Sequence, residues 1–378
     1  MKTLFFLVVV AVAITWLIAR WRRPPCRTYG AVDAIMPAFN EELCIADSVE
    51  SLLANPYLGQ VIVVNDGSTD GTAAILDRLA TQDRRLIVVH QENTGKGGAL
   101  MAGLTRVRAR YVFLTDADTF LPPDGDGLGY MIAEMDRGAD AVGGVPSSNL
   151  SGAGILPHIR ATVKLPMIVL KRTFQEVVGG APFLVSGACG MFRTEVLRAV
   201  PFSDRTKVED LDLTWTLVGK GYRVRQTPRC IVYAQECNSL RAEWLRWRRW
   251  IIGYAVCMRL HHRLLLSRFG LFSILPMFLV VVAGIASSLT TLGPSVLQGK
   301  FHSASLQLFP ILWLAIVFLI GLVSSIHHRR YWLVALAPTA VLYVFLSYAI
   351  WLVHGVRGLL TGCEPQRDKP TRYAHVVA

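Results

Sequence analysis

An apolar run, Tyr111-Val112-Phe113-Leu114-Thr115, stops abruptly at two carboxylates one residue apart, Asp116 and Asp118, and few folds accommodate such an ending. Apolar and β-branched residues bounded by polar ones predict a strand covered on both faces. Period-2 geometry turns Asp116 and Asp118 toward the same side at its carboxyl end. In an open α/β sheet that edge is where ligands bind. Two hard oxygen donors at this spacing can hold Mg2+ or Mn2+ and leave coordination positions for phosphates. A single Asp-Xaa-Asp is equally a solvated loop with two acids, so the flanking pattern has to decide.

That pattern repeats the design. From Asp33 to about Arg229, short apolar strands alternate with helical segments, the signature of a parallel α/β sheet. Ala34-Ile35-Met36 runs into Pro37-Ala38-Phe39-Asn40-Glu41-Glu42, and a helix follows through Ile45, Val49, Leu52 and Leu53. Val61-Ile62-Val63-Val64 ends in Asn65-Asp66-Gly67-Ser68-Thr69-Asp70-Gly71, where the glycines fit tight turns and Asp70 is placed to cap the next helix. Leu86-Ile87-Val88-Val89 ends in Asn93-Thr94-Gly95-Lys96-Gly97-Gly98. Four strands thus bring polar turns to one sheet edge, which describes a nucleotide-binding face. The Lys96 turn is not a P-loop, because Gly97 follows the lysine where Ser or Thr is required.

The rest of the chain has a different character. Of its 378 residues 52% are hydrophobic and only 17% charged, with a formal charge of +12, and the mean hydropathy is +0.40. Such an excess predicts a membrane protein with a soluble part. Leu4 to Ile18 is almost wholly apolar and precedes Arg20-Trp21-Arg22-Arg23, which predicts an uncleaved anchor over residues 1–23 with the next domain in the cytosol, at the cell membrane. Leu240 to Arg263 mixes Trp, Arg and apolar residues, as an interfacial helix does. Phe269 to Leu292, Leu306 to Ile326 and Tyr331 to Val353 are each long enough to span a bilayer, which leaves residues 354–378 as a tail. Basic charge beside membrane spans marks anionic lipid and the cytosolic side, and no motif speaks for nucleic acid. Seven dispersed cysteines without a Cys-Xaa-Xaa-Cys pair suit a reducing compartment.

Met36-Pro37-Ala38-Phe39-Asn40-Glu41-Glu42, the Asn65 to Thr72 turn and Asp116-Ala117-Asp118 together resemble the signature of family 2 glycosyltransferases. Val185-Ser186-Gly187-Ala188-Cys189-Gly190-Met191-Phe192-Arg193 resembles that family's acceptor-side loop. Val208-Glu209-Asp210 resembles its Thr-Glu-Asp element with Val for Thr. Arg246-Trp247-Arg248-Arg249-Trp250 resembles the Gln-Xaa-Xaa-Arg-Trp motif of its membrane-embedded polysaccharide synthases, with Arg for Gln. The likeness covers roughly residues 31–253.

The resemblance implies a GT-A domain over about residues 31–239, an α/β nucleotide-sugar-binding fold, followed by transmembrane helices. It implies a UDP-sugar held by Pro37, Ala38, Phe39, Glu41, Asp66 and Lys96, a divalent metal at Asp116 and Asp118, and an acceptor at Ser186, Gly187 and Cys189. Asp210, with Glu209 beside it, is the expected general base, and Arg246, Arg249 and Trp250 are expected to meet the diphosphate and the sugar face. The expected reaction is inverting transfer onto a growing glycan. Single addition to a lipid acceptor such as polyprenyl phosphate, and a non-enzymatic membrane protein with a cytosolic sensor, are the competing expectations. The bland readings are a turn residue for Asp66, a surface lysine for Lys96, helix-start acids for Glu209 and Asp210, and a membrane-surface basic helix for Arg246 to Trp250.

Overall fold

A computed structural model describes residues 24–123, 125–276, 278–279 and 304–362. β1 (Val32–Ala38) leads through α1 (Ile45–Leu53) to β2 (Leu58–Asp66), α2 (Thr72–Gln82), β3 (Leu86–Gln91), α3 (Gly95–Leu104) and β4 (Tyr111–Leu114). A two-residue strand β5 (Thr119–Phe120) follows the aspartate turn. Then come α4 (Gly127–Asp136), β6 (Ala141–Ser148), the long α5 (Ile155–Gly179), β7 (Gly190–Arg193), α6 (Thr194–Ala199), α7 (Glu209–Gly219), β8 (Val224–Ala234) and α8 (Leu240–Leu260).

The strands form one sheet in the order β3-β2-β1-β4-β7-β6-β8-β5. β3, β2, β1 and β4 run parallel, β7 is antiparallel to both β4 and β6, β8 is parallel to β6, and β5 is antiparallel to β8. Chain order reverses at β1, which pairs with β2 on one side and β4 on the other, and such a switch point opens a crevice at the strand ends. The pairings Ala38↔Asn65, Asp66↔Gln91 and Ile35↔Leu114 bring the four carboxyl ends to one edge.

The uninterrupted apolar runs follow from two cores, one on each face. Ala34, Met36, Val61, Val63 and Phe113 enter the first, under α1, α2 and α4. Their chain neighbours Ile35, Ile62, Val64, Val112 and Leu114 enter the second, under α3, α6, α7 and α8. A strand with both faces dry cannot alternate with polar residues. Full burial of Phe113 contributes about 1.5–3 kcal/mol on transfer grounds.

After α8 comes a short 3-10 turn (His262–Leu266), and a π-turn (Gly270–Ile274) lies at the start of the first expected span, most of which is outside the described residues, as is the expected anchor before residue 24. The second expected span coincides with α9 (Ala304–His327), whose side chains are described chiefly from Val317 on. The third is not one α-helix. It divides into a 3-10 segment (Tyr331–Leu336), α10 (Ala337–Ile350) and a π-turn (Trp351–Gly355), followed by α11 (Val356–Thr361). Among the described residues, no helix is long and apolar enough to cross a membrane.

Candidate active site

The loops after β1 and β2 interlock before any ligand enters. Asn40, at φ +53°, donates its amide to Ser68 Oγ at 2.9 Å and accepts the Thr69 amide on Oδ1 at 2.7 Å. Glu41 donates its amide to Thr72 Oγ1 at 2.8 Å, and Glu42 Oε2 accepts the Gly71 amide at 2.8 Å. Gly67 takes φ +73°, the tight turn expected of it. Asp70 caps from one position further out than an N-cap, accepting the Thr72 amide at 3.0 Å while Gly71 is the N-cap residue.

Asp66 is buried and closes the β2 edge. Its Oδ1 accepts the Thr94 amide and Gln91 Nε2, both at 2.8 Å, and its Oδ2 accepts the Gly95 amide at 2.9 Å. It therefore holds the amino end of α3, where a carboxylate also meets the positive end of the helix dipole. Beside it Ala38 is buried, Pro37 half-buried and Phe39 exposed, so an apolar step flanks the carboxylate. Glu41 is buried, and its Oε2 accepts the Cys44 thiol at 3.2 Å.

α3 carries Lys96 across the crevice to the aspartate turn. The Lys96 ammonium lies 2.6 Å from Asp116 Oδ1 and 3.4 Å from Glu209 Oε1, so one cation joins β4 to the first turn of α7. Asp210 completes the group: its Oδ2 accepts the Gly187 amide at 3.1 Å. A Cβ placed on Gly187 would stand 3.1 Å from Lys96 Nζ, so the missing side chain keeps the loop against the charges.

The 183–187 loop is fastened to α7 at alternate residues. Phe183 O accepts the Trp215 indole N–H at 3.0 Å, the Val185 amide reaches Thr214 Oγ1 at 3.0 Å, and Gly187 reaches Asp210. Burial, then the neighbouring Glu209, pushes the Asp210 carboxyl above its ordinary range, against the pull of Lys96. A carboxylate so placed is a stronger proton acceptor than one in water.

Asp118 takes the Thr119 hydroxyl on Oδ1 at 3.3 Å and the Gln235 amide on its carbonyl at 3.1 Å. Among the described residues no three His, Cys, Asp or Glu side chains converge on a metal position. The donor chemistry of Asp116 and Asp118 nevertheless suits a hard cation that takes its other ligands from phosphate and water. The ammonium on Asp116 already shows that this carboxylate draws positive charge.

Other expected site residues are brought elsewhere. Cys189 is fully buried in the core, its sulfur 3.8 Å from that of Cys230, and is separated in environment from half-buried Ser186. Arg246 is engaged by carboxylates: Nη1 reaches Glu236 at 2.9 Å and Nη2 binds Glu243. Arg160 joins both acids at 2.8 and 3.0 Å, and Lys164 lies 2.6 Å from Glu236. Burial opposes the Glu236 charge, but Arg160 and Lys164 hold its carboxyl below the usual range. Trp250 lies over this network, with the Arg160 and Arg246 guanidiniums 5.6 and 5.3 Å from its ring centroid and Trp247 edge-on at 5.7 Å. Arg249 is half-buried on the same helix. Val208, standing where the resembled motif has Thr, packs where a Cβ on Gly253 would clash at 2.6 Å, so it seats α8. Of the missed residues, Glu243 had a signal in its i,i+3 spacing to Arg246. Arg160 and Lys164 had none, because α5 lies some 80 residues away in sequence from its partners.

Comparison with known proteins gives the family and the fold. Residues 33–200 match the family described as Glycosyl transferase family 2. The chain is 59% identical over 378 residues, all of this chain and 95% of the relative, to the uncharacterized glycosyltransferase YaiP of Escherichia coli K12. It is 29% identical over 225 residues to a poly-beta-1,6-N-acetyl-D-glucosamine synthase of Staphylococcus aureus, covering 58% of this chain and 53% of that protein. The fold is similar to that of the mannosyltransferase PcManGT of Pyrobaculum calidifontis, solved with GDP-Man and Mn2+ (TM-score 0.57, 19% identity, 88% of this chain and 96% of that one). With the family match over residues 33–200, on a mostly parallel open sheet, and a relative 59% identical along the whole chain, the chain belongs to glycosyltransferase family 2.

Proposed function

We propose that the chain transfers a sugar, with inversion, from a UDP-sugar to a glycan growing at the membrane, adding many units in succession. The observation that carries this reading is the meeting of Lys96, Asp116, Glu209, Asp210 and the Gly187 loop at the carboxyl edge of the sheet. The uridine lies against Ala38 and Phe39, and Asp66 Oδ2, with one chain donor, retains a lone pair for a ring N–H. Lys96 offers its charge to the diphosphate. Mg2+ or Mn2+ at Asp116 and Asp118 would neutralise charge growing on the leaving group. Asp210 takes the proton of the acceptor hydroxyl as that oxygen attacks the anomeric carbon from the face opposite the nucleotide. No covalent nucleophile is required.

The membrane setting rests on apolar side chains that water does not favour. Phe318, Leu319, Leu322, Val323 and Ile326 of α9 are all exposed, as are Leu352, Val353 and Leu360, and contiguous exposed apolar surface marks a partner or a bilayer. A catalytic domain on the cytosolic side follows from the basic segments that flank the apolar stretches. Single addition to a lipid phosphate is the second reading, favoured by three cations, buried Arg160 and half-buried Lys164 and Arg246, against two carboxylates beside Trp250.

Membranes containing the chain, offered UDP- and GDP-linked sugars in parallel, test the proposal by nucleotide release and product mass together. A ladder of products from one UDP-sugar is expected. One added sugar on a lipid phosphate establishes the second reading, and turnover of GDP-sugars alone contradicts the uridine assignment.

A further inference from the structure

A cavity of about 390 Å3 lies away from the catalytic carboxylates, between the carboxyl half of α7 and the turn that follows α8. Arg205, His261, His262 and Arg263 supply its polar wall, and Trp215, Leu260 and Leu264 its apolar one. Gly219, which also lines it, is nine residues from Asp210 along α7, about 14 Å at helical rise. It is a second site, on the same helix as the proposed base.

We propose that this cavity binds the phosphate of an anionic phospholipid. Its donors are arranged and left available. Buried Asp212 accepts Arg205 Nη2 on both oxygens at 3.0 Å, is 2.6 Å from His261 Nε2, and takes the Ser203 hydroxyl at 2.5 Å. That carboxylate fixes the wall while its own charge is already matched. Among the described residues Arg205 Nη1 has no acceptor, Arg263 forms no ion pair, and His262 uses only Nδ1, against the Arg259 carbonyl. Two guanidiniums therefore face the cavity, and the carboxylate that holds its wall, Asp212, is already matched. The carboxyl end of α7 carries partial negative charge, which opposes an anion, but two full charges outweigh it.

The choice of a lipid over free phosphate comes from the rim. Leu266 is 85% exposed, and Leu260, Leu271 and Phe272 are exposed beside it. Cations at the mouth and bare apolar side chains around them match a headgroup and its acyl chains. The inference rests on the membrane setting proposed above, and the test separates the two.

Dihexanoyl phosphatidylglycerol, soluble as a monomer, is titrated onto the purified full chain, with dihexanoyl phosphatidylcholine and inorganic phosphate as parallel probes. Native mass spectrometry counts bound lipid. Arg263→Glu, which removes no recorded bond, and Arg205→Ala with Arg263→Ala are the variants, and each is checked for an unchanged melting temperature. The glycerol lipid is expected to bind the parent, and to bind the variants about tenfold or more weakly, with the choline lipid indifferent to both. Unchanged binding in Arg263→Glu overturns the site. Phosphate binding without preference for the anionic lipid over the choline lipid overturns the lipid assignment. A chain that stays dissolved without detergent, yet binds the anionic lipid through these arginines, contradicts the membrane setting and leaves the cavity standing.

Discussion

Asp210 and Asp116 are both carboxylates near Lys96, and the proposed function gives them different work. Asp210 is pushed toward protonation by burial and by Glu209, so the acid limb of kcat/KM should lie above that of an ordinary carboxylate. A base works only when unprotonated, so activity rises with pH through that limb. Glu209→Gln removes the neighbouring charge that raises it, and the limb should move to lower pH; a limb that stays in place shows that Glu209 does not act through Asp210. Asp118→Asn removes one hard anionic donor, so the metal concentration giving half-maximal turnover should rise, and excess chelator should abolish turnover of the parent. Full activity in chelator contradicts the metal assignment.

α7 is the element on which the site depends, because it presents Asp210 and grips the 183–187 loop. Thr214 does both at once, accepting the Val185 amide and donating to the Asp210 carbonyl, and it is fully buried. Thr214→Val keeps the branched shape and loses both bonds, leaving a buried N–H unmatched, so the fold should lose about 1–3 kcal/mol. Thermal unfolding together with kcat measures it, and an unchanged melting temperature removes α7 from that role. β1, β2, β3 and β4 are legible in the sequence because each carries a short apolar run closed by a polar turn. β7 is not: Gly190-Met191-Phe192-Arg193 has no alternation, and it exists as a strand only because β4 and β6 lie on either side. Paired acids at a strand end and at a helix start were equally visible. Their convergence was not, since Lys96 comes from a third turn and the Gly187 amide from a fourth. The engagement of Arg246 by Glu236 depends on the segment after β8 meeting α8, and that of Glu236 and Glu243 by Arg160 on α5 meeting α8, which no local pattern records.

In the function proposed here the sheet edge and α7 divide the labour, and the apolar segments after Leu260 hold the chain at the membrane. Exposed apolar side chains from Leu266 onward should keep the chain in membranes washed with alkaline carbonate, and release by that wash contradicts the bilayer setting. In the proposed function the sheet edge binds the nucleotide while Asp210 performs the proton transfer. Asp210→Asn keeps size and hydrogen bonding but cannot take the proton. Calorimetric UDP titration and single-turnover sugar transfer on this one variant should give near-parental UDP affinity with transfer slowed about 100- to 10,000-fold. Transfer at the parental rate, or UDP binding lost along with it, would leave Asp210 as a helix-start residue and contradict the account.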